Sequence, residues 1–125
     1  PYSGAAAYAR AKRGVVMLTE HWARKMQAKR VSFYAMHPGW VDTPGVVTSL
    51  PGFYRITKPV LRSPYQGADT IVWLAASAAA GSVSGRFWLD RRPRETAVIP
   101  GTGHTQEQTR KLVSQLEGYL EGFRT

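Results

Sequence analysis

Residues Ala5–Ala28 run without a proline, and Val31–His37 follows them as a short apolar segment closed by Pro38-Gly39. In the first stretch alanine is abundant, and Val15, Leu18, Trp22 and Met26 recur at helical spacing, so it reads as a helix. Gly14 is its weak point, tolerable where another backbone packs close. The basic turn Lys25–Arg30 suits the negative end of the helix dipole. The second stretch reads as a strand, with Val31, Phe33, Ala35 and Met36 making it apolar on both faces. A strand that must be covered on both sides, preceded by a helix, belongs to an α/β layer arrangement.

Five prolines (38, 44, 51, 59 and 64) and three glycines (39, 45 and 52) then make 38–64 irregular, with short helical turns expected at Gly45–Leu50 and Phe53–Leu61. A connection of that length inside a compact fold usually serves as a lid or binding loop. Ser63-Pro64-Tyr65-Gln66 opens a helix with an N-cap, a first-turn proline and a capping box. That helix should run to about Ala76 with Ala68, Ile71, Val72 and Ala75 on one face. Gly81–Gly85 reads as a turn, Gly85–Asp90 as a short strand and Arg91–Gly103 as a polar tail. Thr105 begins a last helix with a capping box through Gln108, and its stripe Leu112, Leu116, Leu120 and Phe123 should dock on a partner surface. The expected organisation is an α/β part over 1–90 with a lid at 45–62, then a polar tail and amphipathic helix over 91–125.

Composition removes several function classes. At 43% hydrophobic and 20% charged residues, the 125-residue chain has the make-up of a globular domain and not of a disordered segment. It has no cysteine, which excludes disulfides, thiolate metal sites and cysteine nucleophiles, and suits a reducing, intracellular and cytoplasmic setting. His21, His37 and His104 are too scattered for a metal-ligand pattern, so no metal is expected. The longest apolar run, Ile71–Ala80, is too short to cross a bilayer. No signal-peptide pattern is present, and the sequence opens at Pro1, directly before a helix and without an initiator methionine; a chain truncated at its N-terminus is the expectation. The net charge of +9 attracts polyanions. The cations are scattered along the first helix, with a second group at Arg91, Arg92 and Arg94, and neither group is interleaved with aromatics; nucleic-acid and membrane partners are therefore disfavoured.

Tyr8-Ala9-Arg10-Ala11-Lys12 places a phenol and an ammonium on one helical face, about 6 Å apart at the backbone. A neighbouring cation favours the phenolate and makes the phenol a usable general acid near neutral pH. By itself the spacing is a weak signal. The order Tyr8-x-x-x-Lys12, helix, strand, then Pro38-Gly39-Trp40-Val41-Asp42-Thr43-Pro44 resembles the C-terminal portion of short-chain dehydrogenases/reductases. The stretches Met36–Trp40, Asp42–Val46, Gln66–Thr70 and Gly85–Phe87 look like the member-twelve subgroup of that family.

The resemblance implies the C-terminal half of a Rossmann-type doubly wound parallel sheet, and an oxidoreductase using NAD or NADP, with the basic excess leaning to NADP. It implies Tyr8 as proton donor to a carbonyl, or base toward an alcohol, and Lys12 as the group that tunes Tyr8 and holds the nicotinamide ribose. Pro38, Gly39, Trp40 and Val41 would pass beside the nicotinamide, with backbone groups near Val41 on its carboxamide and Thr43 near the carboxamide or pyrophosphate. Trp40, Val46, Val47 and Leu50 would meet substrate, and the apolar character of that segment, with Phe53 and Tyr54, points to an apolar carbonyl or alcohol; a homo-oligomer is a further expectation. The family's glycine-rich cofactor turn has no match at Gly81, Gly85, Gly101 or Gly103, its asparagine is absent, and Ser3 lies too close to Tyr8 to serve as its serine. These 125 residues alone are thus expected to be inactive. A non-catalytic partner subunit and a basic polyanion-binding module are the alternative readings. His37 reads as a satisfied interior histidine and Asp42 as a cap for the turn that follows it.

Overall fold

The computed structural model describes residues 2–49 and 51–123. Helix α1 (Gly4–Lys25) starts at Ser3, whose hydroxyl accepts the Ala6 N–H at 3.3 Å. Its end passes through a 3₁₀ turn, Gln27–Lys29, to Arg30 in the left-handed conformation (φ 55°). The chain then enters strand β1, which covers only Ala35–Met36 and not the whole of Val31–His37. The shortening has a local cause. Pairing on this edge begins with the Phe33 N–H donating to the Ser84 hydroxyl (2.9 Å), so a side chain replaces the first ladder partner. Regular bonds follow from Ala35 N–H to Arg86 O and from His37 N–H to Trp88 O.

Strand β2 (Phe87–Leu89) runs parallel to β1 with Met36 beside Trp88, and helix α4 (Pro64–Ala76) lies in the crossover between them. The capping box at Ser63 and Gln66 forms as expected, with bonds of 3.3 and 2.8 Å. The buried face of α4 is a correction. Gly67, Thr70 and Leu74 turn inward, whereas Ala68, Ile71, Val72 and Ala75 are exposed. The reason is Trp88: it is 3% exposed and packs with Leu74, Ala80, Trp73, Tyr34 and Met36, and Gly67 leaves room for Val41. Burying an indole of that size is worth about 4–6 kcal/mol from area alone, which outweighs the choice between two moderately apolar helix faces. Strand alternation puts Ala35 and Phe87 on the opposite side of the sheet, where α1 packs against β1. The sheet thus carries helices on both faces, as in part of a Rossmann-like fold.

One further element departs from the expectation. The stretch read as a polar tail contains strand β3 (Arg92–Arg94), antiparallel to β2, with Leu89 opposite Arg92. Asp90 and Arg91 at the tip both have positive φ (55° and 56°), as a tight two-residue hairpin requires. Between β1 and α4, the short helical turns expected within 38–64 form as helices α2 (Pro44–Ser49) and α3 (Pro51–Thr57), followed by a 3₁₀ turn at Lys58–Val60. Helix α5 (Gln106–Gly122) begins at the expected capping box and docks on α1 through Thr109, Leu112 and Val113. What packs near Gly14 is the Leu112 side chain, 3.5 Å from a built Cβ, and not another backbone. The later half of the α5 stripe stays uncovered: Leu120 and Phe123 are 62% and 87% exposed.

Gly85 fixes how α1 meets the sheet. Its φ is +83°, and a Cβ there would stand 2.9 Å from the Ala23 Cβ. Gly85→Ala is expected to lose about 2 kcal/mol in urea unfolding, from the left-handed backbone and the clash together. Combined with Ala23→Gly, the double variant should lose less than the sum of the single losses; strict additivity would show that the contact does not exist.

Candidate active site

Tyr8 and Lys12 lie on the exposed face of α1, Tyr8 at 66% exposure, with the Lys12 Nζ 5.4 Å from the centre of the phenol ring. Among the described residues Lys12 forms no ion pair, so its charge is directed at the Tyr8 ring and at solvent. The contact between Gly85, which leads into β2, and Ala23, near the end of α1, holds the C-terminal end of the helix at the N-terminal ends of the strands. With α1 packed along β1, the turns carrying Tyr8 and Lys12 lie toward the strands' C-terminal ends, from which Pro38–Thr43 emerges. In α/β sheets, ligands bind at that end. A cavity of about 790 Å³, lined by Arg24, Arg30, Ser32, Ser84 and Arg86, lies at the opposite end, away from the phenol.

The segment after β1 is held by its own backbone. Gly39 has φ +79°, and its N–H donates to Nδ1 of His37 at 2.9 Å. His37 is therefore satisfied, but it is exposed and not interior. Val41 forms a parallel bridge with Arg62: the Arg62 N–H donates to Trp40 O at 2.8 Å, and the Asp42 N–H to Arg62 O at 2.9 Å. In such a bridge the flanking residues make the bonds, so the N–H and C=O of Val41 face away from Arg62. Neither has an internal partner among the described residues. One free donor and one free acceptor on a single residue match a primary carboxamide, the polar end of nicotinamide, and on this test the segment fits the cofactor. The Thr43 carbonyl accepts the N–H groups of Val46 and Val47, so Thr43, and not Asp42, starts α2 through its backbone.

The expected substrate residues form a loose group. Trp40 is 55% exposed, Val47 is exposed and Val46 is half-buried on α2. Leu50 lies outside the described residues, as does the side chain of Phe53. Ser3 is occupied as the N-cap of α1.

Sequence reasoning missed four residues that hold the segment in place. The Arg62 guanidinium forks onto Asp90 (2.5 and 3.0 Å) and also donates to Pro38 O at 3.3 Å. Arg91 forks onto Asp69, and its N–H donates to the Thr70 hydroxyl. These bonds brace the two positive-φ residues of the hairpin. An aspartate at a strand end, a residue type that tolerates the left-handed region, was the available hint of that turn. Gly39 also acquires a different reason to be glycine: a Cβ there would meet the Arg62 side chain at 2.7 Å, so its missing side chain makes room for arginine.

The short chain dehydrogenase profile matches residues 1–51. Human dehydrogenase/reductase SDR family member 12 is 44% identical over 99% of this chain, and its Bos taurus counterpart is 45% identical over 98%. The chain belongs to the short-chain dehydrogenase/reductase family. It spans 39% of the length of each of those two relatives. A putative daunorubicin C-13 ketoreductase of Streptomyces sp. (strain C5) is 38% identical over 73% of this chain, which covers 31% of that protein. No solved structure matches the chain. Among the described residues, no helix is long and apolar enough to cross a membrane and no acidic or histidine cluster is arranged to hold a metal.

The hairpin braces carry a pH signature. The hydrogen bonds from Arg62 and Arg91 hold the Asp90 and Asp69 carboxyls below the usual carboxylate range. A carboxyl depressed in the folded state stabilises the fold above its unfolded pKa of about 3.9 and loses that contribution as pH falls through the lower folded value. Stability should therefore decline from about pH 5 downward, and Asp69→Asn with Asp90→Asn should flatten that decline. Parallel stability–pH curves for the wild type and the double variant, by urea unfolding, would remove the assignment.

Proposed function

We propose that this chain supplies the proton-transfer group and the nicotinamide wall of an NAD(P)-dependent oxidoreductase acting on a carbonyl or alcohol. The observation that carries the proposal is the exposed Tyr8–Lys12 pair, at the sheet end where Val41 offers an unused backbone donor and acceptor. When bound, the dinucleotide supplies or takes up the hydride at the substrate carbon. Tyr8 Oη gives its proton to the substrate oxygen as a ketone or aldehyde becomes an alcohol, and takes that proton back in the opposite direction. The Lys12 ammonium stabilises the negative charge left on the phenol and donates hydrogen bonds to a ribose hydroxyl. Val41 orients the carboxamide by pairing N–H with its oxygen and C=O with its NH₂ group. Trp40, Val46 and Val47 present an apolar surface beside it, which suits an apolar substrate; the ketoreductase name of the Streptomyces relative supports the carbonyl side of the reaction.

The test uses the protein expressed from its complete coding sequence. Tyr8→Phe should reduce turnover of a carbonyl substrate by about 10²–10⁴-fold while leaving dinucleotide affinity nearly unchanged. Lys12→Met should lower both. Turnover in Tyr8→Phe within a factor of two of wild type would refute the proton-donor role. A wild-type protein that binds dinucleotide without turning over any carbonyl or alcohol would favour a partner-subunit role.

A further inference from the structure

We infer that Arg62 is a positioning residue that sets the Pro38–Thr43 wall at the height a nicotinamide ring requires; the inference rests on the reading of that wall given above. Arg62 bonds to or packs against four residues of the segment and stands opposite a fifth, Val41. Its guanidinium donates to the Pro38 carbonyl, and its side chain fills the space beside the Gly39 Cα. Its backbone then binds Trp40 O and the Asp42 N–H on either side of Val41. Gly67 supports Val41 from beneath through van der Waals contact, and His37 holds only the Gly39 N–H.

Arg62 can do this because its own position is fixed. Its two terminal nitrogens fork onto the Asp90 carboxylate, a geometry that sets direction as well as distance. Asp90 stands at the tip of the β2–β3 hairpin, one residue past β2, where it is held at φ 55°. The next residue, Arg91, is tied to Asp69 and Thr70 of α4. The line of support runs from the Trp88 core through β2 to Asp90, to Arg62, and then to the wall. It also engages the carbonyls of Pro38 and Trp40 and the N–H of Asp42, and leaves the Val41 N–H and C=O directed away from Arg62. Lysine in place of Arg62 would keep the charge but could not fork onto the carboxylate while reaching Pro38 O.

The experiment compares wild type, Arg62→Ala, Arg62→Lys and Asp90→Asn, with Tyr8→Phe as a control on the underlying reading, all expressed from the complete coding sequence. Binding of NADPH and NADH is measured beside binding of ADP-ribose phosphate and ADP-ribose, which lack the nicotinamide ring. Amide hydrogen exchange at Asp42 and Arg62 is measured without ligand. Arg62→Ala should weaken binding of the complete dinucleotide about tenfold and leave the ring-less ligand within a factor of two. The Asp42 and Arg62 amides should exchange about tenfold faster than in wild type. Arg62→Lys and Asp90→Asn should fall between the two, with Asp90→Asn serving if Arg62→Ala does not fold. Unchanged exchange and binding in the variants would overturn the inference, and so would equal weakening of both ligand types, which marks general loosening. If wild type binds neither ligand, the nicotinamide reading fails, and exchange alone then decides whether Arg62 fixes the segment; normal turnover in Tyr8→Phe refutes the proton-donor role alone and leaves the binding comparison standing.

Discussion

The packing of Trp88 sets most of what lies around it. The indole joins β2 to β1 through Met36 and Tyr34 and to α4 through Leu74 and Trp73, so a single side chain decides which face of α4 turns inward. That orientation brings Gly67 under Val41 and Thr70 under Arg91. It also places Asp69 where it can receive the Arg91 guanidinium. The Tyr34 hydroxyl, bonded to Ala80 O at 2.7 Å, closes the same cluster from the other side. The polar contacts that shape the wall beside β1 are thus consequences of apolar packing a few ångströms below.

The wall and the phenol are built on different principles. Tyr8 and Lys12 need only a helix, because residues four apart share a face whatever surrounds them. The Pro38–Thr43 segment has no regular structure of its own and takes its shape from Arg62, Gly67 and His37. A left-handed Asp90-Arg91 turn is costly for side chains of this kind, and it persists because two forked ion pairs and a backbone bond hold it. Exposed ion pairs add little to overall stability. Their consequence here is geometric: they determine where a loop sits rather than whether the domain folds.

Much of the helical content was readable from the sequence, and so was the placing of Tyr8 and Lys12 on one helix face. Ser63-Pro64-Tyr65-Gln66 and Thr105 with Gln108 are local signals whose bonds close within one turn, and both helices start where those residues stand. The strands were harder to bound. Ladder length depends on the partner, and Ser84 replaces a backbone acceptor at Phe33, which no pattern within Val31–His37 could announce. The α4 face was misread because Ile71 and Val72 are the more apolar residues, yet the contact that decides burial comes from Trp88, sixteen residues after Val72.

What the sequence determined by itself are features closed over three or four residues: the helix starts, the phenol–ammonium pair, the Pro38-Gly39 break, and the similarity that places the chain in its family. The tertiary structure alone decided the β3 hairpin, the inward face of α4, the contacts of Arg62 and the outward turn of the Val41 peptide. Most of those depend on groups distant in the chain, such as Arg62 and Asp90 or Asp69 and Arg91, whose meeting depends on how the helices and strands pack. Local rules act through bonds a residue can make with its near neighbours, and nothing local distinguishes an arginine that will find a carboxylate across the fold from one that faces water.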